Sequence, residues 1–142
     1  MALQFEEDGV SFRYPEGWRL EREENETGWT VLLQSPDTAF ALVSFDNSLP
    51  TTEETAEAAL EALRSDYPNL EAEDRVDTLA GQMAVGHEIQ FFSLDLTNTC
   101  WTRSIHSPSG VLLVLCQAND LELEQHEPVL RAICASLKVE ED

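Results

Sequence analysis

Between Thr78 and Asn119 this chain carries only three charged side chains, Glu88, Asp95 and Arg103, although its 142 residues hold 28 acids against 8 lysines and arginines. So long a stretch with almost no charge, in a chain of formal charge −20, has to be mostly interior. Its apolar residues are spaced for strands. Met83, Val85, His87, Ile89 and Phe91 share one phase; Trp101, Arg103 and Ile105 belong to a second strand. Ser107-Pro108-Ser109-Gly110 then turns the chain into an apolar strand from Val111 to Ala118. The stretch predicts the centre of a sheet, with the acidic segments forming helices and edges around it.

The flanking segments supply the rest. Leu3 and Phe5, then Val10, Phe12 and Tyr14, alternate with polar residues around the hairpin dipeptide Asp8-Gly9. Pro15-Glu16-Gly17 breaks that strand before Trp18. Trp29, Val31 and Leu33 share a phase, and Phe40 to Phe45 reads as a strand covered on both faces. Thr51 with Glu54 fits a capping box, and Ala56, Ala59, Leu60 and Leu63 follow as one helical stripe that Pro68 stops. Leu130, Ile133, Cys134 and Leu137 mark a second helix. Proline fits only the first turn, so Pro128 predicts a start near Glu127. Four strands, a helix, three or four strands and a helix make an α+β fold: a mostly antiparallel sheet of about six to eight strands with helices packed on its faces. Residues 1–142 read as one such domain, with 139–142 a frayed acidic tail.

Composition narrows the function classes. The negative charge repels phosphate backbones and anionic lipid, so no nucleic acid is expected as a partner. The longest apolar run, Val111 to Cys116, is too short to enter a bilayer as a spanning helix. Met1 to Glu7 lacks the basic and apolar regions of a secretion signal, and three cysteines do not make a disulfide framework, so the expected compartment is the cytoplasm.

No chemical motif emerges. There is no Gly-x-Ser-x-Gly elbow and no Gly-rich phosphate loop. His87, His106 and His126 fall in three elements, none with a ligand partner at zinc spacing, so neither a metal nor a cofactor is expected. Glu21, Glu23, Glu24 and Glu26 read as a solvated edge or loop. Cys100, Cys116 and Cys134 read as small buried apolar residues. Arg103 needs a partner in so neutral a setting, and Glu88 on a neighbouring strand is the expected mate. The functional alternative is an open patch of sheet offering His87, Trp101 and Arg103 to a protein partner, since aromatics and arginine are enriched in binding hot spots.

Gly9-Val10-Ser11-Phe12-Arg13-Tyr14-Pro15-Glu16-Gly17-Trp18 resembles the opening of the PsbP-like superfamily, written Gly-x-x-Phe-x-Tyr/Phe-Pro-x-Gly-Trp. That group includes the PsbP proteins of photosystem II, the Ran-binding Mog factors and the DcrB-type proteins. Gly81 to Phe92 resembles its long central strand, and Ile133 to Leu137 its closing helix. The resemblance implies an α/β/α sandwich and a non-catalytic binding or assembly role, with no catalytic residues to transfer. His126-Glu127-Pro128 is similar to the C-terminal region of the Eag-type chaperones, which shield apolar effector segments. The expectation is therefore a cytoplasmic, non-catalytic protein-binding module, an adaptor, assembly factor or chaperone, whose partner is a basic or apolar segment or a second copy paired at a sheet edge. The rival expectations are a small-molecule-binding protein, or an enzyme whose site is assembled from distant residues, with His87, Cys100 and Arg103 its first candidates.

Overall fold

The computed structural model describes residues 2–140. Five strands come first: β1 (Ala2–Glu7), β2 (Val10–Pro15), β3 (Arg19–Asn25), β4 (Gly28–Gln34) and β5 (Phe40–Asp46). Helix α1 (Thr52–Asp66) follows, then β6 (Glu71–Leu79), β7 (Gln82–Ser93), β8 (Leu96–Ser107) and β9 (Gly110–Asn119). Helix α2 (Leu123–Ala135) and the short β10 (Lys138–Val139) close the chain. The strands form a seven-stranded sheet in the order β3-β4-β5-β9-β8-β7-β6 and a three-stranded sheet in the order β1-β2-β10. Every pairing is antiparallel.

Cross-strand partners share a face, so the register sorts the large sheet into two. One row runs Trp29, Phe45, Leu112, Ile105, and these residues are buried under the small sheet and α2. There Val10 and Phe12 of β2 and Leu130 and Ile133 of α2 complete the main core. A row three residues along the strands runs Leu32, Leu42, Leu115, Thr102, His87, Asp74 on the opposite face. Over part of that face lies α1, whose Leu60 meets Ile89, Phe91 and Cys100. Burying Leu60 contributes about 2 kcal/mol. Tyr67, the residue that ends α1, stacks on Phe91 with centroids 3.9 Å apart.

Local chemistry explains the joints. Asp8 and Gly9 both have positive φ, 52° and 77°, as the two-residue hairpin turn requires. The Thr51 hydroxyl accepts from the Glu54 backbone N–H, and the Glu54 carboxylate accepts from Thr51, closing the capping box. The Trp18 N–H donates to the Pro15 carbonyl at 3.1 Å, which folds the Pro-Glu-Gly turn and lays Trp18 edge-on against His126.

Four expectations change. Glu71–Leu79 is an edge strand that the residue pattern does not announce, exposed from Glu71 to Thr78, whereas the acidic run after Trp18 forms the edge strand β3, in line with the solvated edge or loop expected there. The second face of β5 is only half covered, with Phe40, Leu42 and Ser44 partly exposed. Helix α2 starts four residues early, with Pro128 inside it. The carbonyl left without a donor belongs to Glu124 in the first turn, where Glu124 and Pro128 are both exposed and water can satisfy it. The tail is ordered further than expected: Val139 pairs with Val10, and the Glu140 N–H donates to the Gly9 carbonyl at 2.7 Å. Glu141 and Asp142 lie outside the described residues.

Candidate functional site

The three residues expected to form one open patch do not form one. Trp101 and Arg103 share the face covered by α2, whereas His87 faces α1 on the other side of the sheet. All three are buried, at 2%, 7% and 6% exposure. His87 Nε2 lies 3.2 Å from Asp74 and 3.9 Å from Glu57 of α1, and its backbone N–H donates to the Thr102 hydroxyl at 3.1 Å. It packs as a bridge between α1 and the sheet edge. Cys100, the other enzyme candidate, is buried in the cluster under α1, and burial first, then Glu88, pushes its thiol up to about 12.

Arg103 is held from several sides. Its Nε donates to both carboxylate oxygens of Asp77 at 3.0 Å, and one terminal nitrogen donates to the Thr102 carbonyl at 2.7 Å. Gly86 is its cross-strand neighbour on β7, so no side chain blocks the guanidinium from crossing that strand to β6. The expected mate Glu88 lies 3.8 Å away and is the secondary partner. The Glu88 oxygen that faces Arg103 is buried without a hydrogen bond, and its other oxygen lies 4.0 Å from Arg131 of α2. The Arg131 guanidinium sits 4.2 Å over the Trp101 ring, a cation–π contact that pins α2 to β8.

Beside these residues opens a cavity of about 210 Å³, lined by Asp77, Trp101, Arg103, Arg131 and Cys134. Behind it, Cys134 of α2 meets Cys116 of β9, sulfur to sulfur at 3.7 Å. The Cys116 S–H is the chief influence holding the Cys134 thiol below its ordinary value, aided by Arg131, the Trp101 indole N–H and Arg103 against the effect of burial. The same hydrogen bond and full burial hold Cys116 well above. Residue spacing does not reveal this pair. The signals were present separately, since Cys116 shares a phase with Leu112 and Val114 and Cys134 lies on the α2 stripe, but only packing of α2 on β9 joins them.

A second cluster, Asp37, Glu122 and His126, brings its ligand-type atoms within 4.8 Å of one another. Its chemistry is that of a latch. The Glu122 carboxylate accepts the backbone N–H groups of Thr38 and Ala39 at 2.9 Å each, the Thr38 hydroxyl and the Asn119 amide. His126 Nε2 shares a hydrogen bond with Asp37 at 2.8 Å. With its oxygens engaged by four donors, Glu122 ties the β4–β5 turn to the start of α2.

A further opening lies in the cover of the large sheet. On the α1 face, the helix lies over β7, β8 and β9. Leu32 of β4, Phe40 and Leu42 of β5 and Leu113 and Leu115 of β9 stay half-buried there, while alternate residues of the same strands are sealed on the other face. Glu21 and Glu23 of β3 rim this strip on its outer side, opposite Leu32 and Thr30 of β4.

Two antiparallel sheets carrying a helix on either side of the larger one define an α+β sandwich. No family model and no curated protein matches the sequence. Solved structures match the fold. The cyanobacterial PsbP (CyanoP) of Synechocystis sp. PCC 6803 superposes with a TM-score of 0.68 at 10% identity, over 98% of this chain and 92% of that one. LpqN of Mycobacterium tuberculosis, described as involved in cell envelope biogenesis, gives 0.62 at 16% identity, over 99% and 92%. The Ran-binding protein Mog1p of Saccharomyces cerevisiae gives 0.63 at 11% identity, over 98% and 95%. The chain therefore shares the fold of these structures, the fold that the resemblance of Gly9–Trp18 implied.

Proposed function

We propose that this chain is a non-catalytic protein-binding module, an adaptor, assembly factor or chaperone, that receives an apolar segment of a partner on the half-covered face of its large sheet. The observation that carries the reading is the unequal cover: one face is closed by α2 and the small sheet, and the other leaves Leu32, Phe40, Leu42, Leu113 and Leu115 partly open. A strip of that kind, bordered by the acids of β3, suits an apolar segment with a basic flank. A neighbour of the same fold is described as Ran-binding, which supports a protein-interacting role at the coarse level. The cytoplasm is the proposed setting, in keeping with three free thiols.

Leu42→Lys tests the site. The substitution puts a charge in the middle of the strip on a half-exposed side chain, so folding should survive and capture should not. Tagged wild-type and variant protein would be used to capture partners from the native lysate at low and high salt. The reading expects one partner held by the wild type at both salts and bound about ten-fold more weakly by the variant. Equal capture by both would exclude the strip. Basic proteins that all wash off at high salt would reduce the interaction to net charge.

A further inference from the structure

The Cys116–Cys134 contact is built in a way that neither a filled core nor the half-open sheet face requires. One sulfur comes from β9 and the other from the penultimate residue of α2, in the last turn before Ser136. Cys116 is fully buried, while Cys134 is part-exposed and forms one wall of the 210 Å³ cavity beneath α2. That volume exceeds the room a water takes several times over, and a peroxide molecule is only somewhat larger than water. Arg103, Arg131 and Trp101 line the same cavity as Cys134, so two guanidinium groups share its space, and a positive setting is the kind in which a thiol reacts as thiolate. Cys100, by contrast, is on the other face of the sheet, enclosed under α1.

We propose that Cys116 and Cys134 are a reversible redox site, with Cys134 the thiol that meets hydrogen peroxide in the cavity and Cys116 the thiol that resolves it into a disulfide. The chemistry balances in two steps. The Cys134 sulfur attacks a peroxide oxygen, the O–O bond breaks, and the departing hydroxide takes a proton to leave as water, so that sulfur is oxidised to sulfenic acid and peroxide is reduced. The Cys116 sulfur then attacks the Cys134 sulfur, the S–O bond breaks, and the hydroxyl leaves with the Cys116 proton as a second water. Two thiols and one peroxide become one disulfide and two waters. Closing from 3.7 Å to the roughly 2.0 Å of a disulfide asks for side-chain rotation and a small adjustment of the last turn of α2. The bond would lock α2 onto the sheet, and a thiol reductant would release it.

Trypsin separates the three cysteines by itself, because cleavage after Arg75, Arg103, Arg131 and Lys138 places Cys100, Cys116 and Cys134 in peptides 76–103, 104–131 and 132–138. Reduced full-length protein would be treated with hydrogen peroxide at neutral pH, blocked with maleimide in denaturant, and mapped without reduction. The proposal expects the intact mass to fall by two hydrogens, peptide 104–131 to be linked to 132–138, and dithiothreitol to restore both. In Cys116→Ser the sulfenic acid should persist on Cys134 and be trapped by dimedone. In the native wild type, Cys134 should alkylate at least about ten-fold faster than Cys100. The wild-type map needs no variant to fold. Peptides 104–131 and 132–138 left unlinked, a link to 76–103 instead, or Cys134 alkylating no faster than Cys100 would each overturn it.

Discussion

At the scale of the residue, Arg103 shows how a single charged side chain organises its surroundings and how far it could be read in advance. The near-neutral stretch made clear that it needed a partner, and Glu88 was the acid available within the strands then recognisable. Its hydrogen-bonded partner, reached across Gly86, is Asp77 on β6, a strand whose exposed residues leave no periodic signal. A Cβ at position 86 would fall 1.8 Å from the Thr102 carbonyl, so the glycine also lets β7 and β8 approach. Arg103→Ala removes the counter-charge from Asp77 and from a Glu88 oxygen that is already buried and unpaired. The expected loss is about 3 kcal/mol, read as a lower urea midpoint at unchanged slope. An unchanged midpoint would mean that the pair only breaks even. One periodicity cannot say which face of a strand meets which helix; the register places His87 and Arg103 on opposite faces.

Helix α1 was legible because it obeys local rules: a capping box, a stripe at helical spacing, and a proline beyond its end. Edge strands obey none of these. β3 and β6 bury little, so they show no alternation, and their glutamates and aspartates look like loop residues. Those acids also discourage the two edges from pairing with other strands. Helix α2 begins ahead of the position that Pro128 alone indicates, because the Glu122 latch secures the residues before it. Burial raises the Glu122 carboxyl, but the Thr38 hydroxyl, the Thr38 and Ala39 N–H groups and Asn119 outweigh it and hold it below the usual carboxylate range. A depressed folded value contributes stability above the unfolded pKa and loses it as pH falls through the folded one. Glu122→Gln should cost about 1 kcal/mol at neutral pH. The difference from wild type should stay level down to roughly pH 5 and shrink below about pH 4. Thermal melts of both proteins across that range check it, and a gap independent of pH would show that the latch works without the charge.

For the molecule as a whole, charge and architecture were the most readable properties, and the relation between the two sheets the least. The neutral stretch does form the strands β7, β8 and β9 within the large sheet, with acidic β3 and β6 at its edges, as its composition required. That β1, β2 and β10 form a separate small sheet follows from the two-residue pairing of β10, which leaves no periodic trace. A net charge of −20 on a chain of this size repels itself, and little of it is offset by pairing. Raising sodium chloride from about 0.01 M to 1 M should therefore raise the melting temperature by roughly 5 °C, measured by calorimetry. A flat response would mean that local contacts already compensate the repulsion. The order of strands in the large sheet has a further consequence, for how the chain is made. β3, β4 and β5 form one meander and β6 to β9 another, and the two meet only where β5 pairs with β9, Ala41 opposite Cys116. On the ribosome the first meander must wait, with the β5 edge bare, until the last strand of the second has been synthesised. The apolar edge that finally joins the sheet is thus a hazard during synthesis, and nascent chains stalled before β9 should be the aggregating species in the cell.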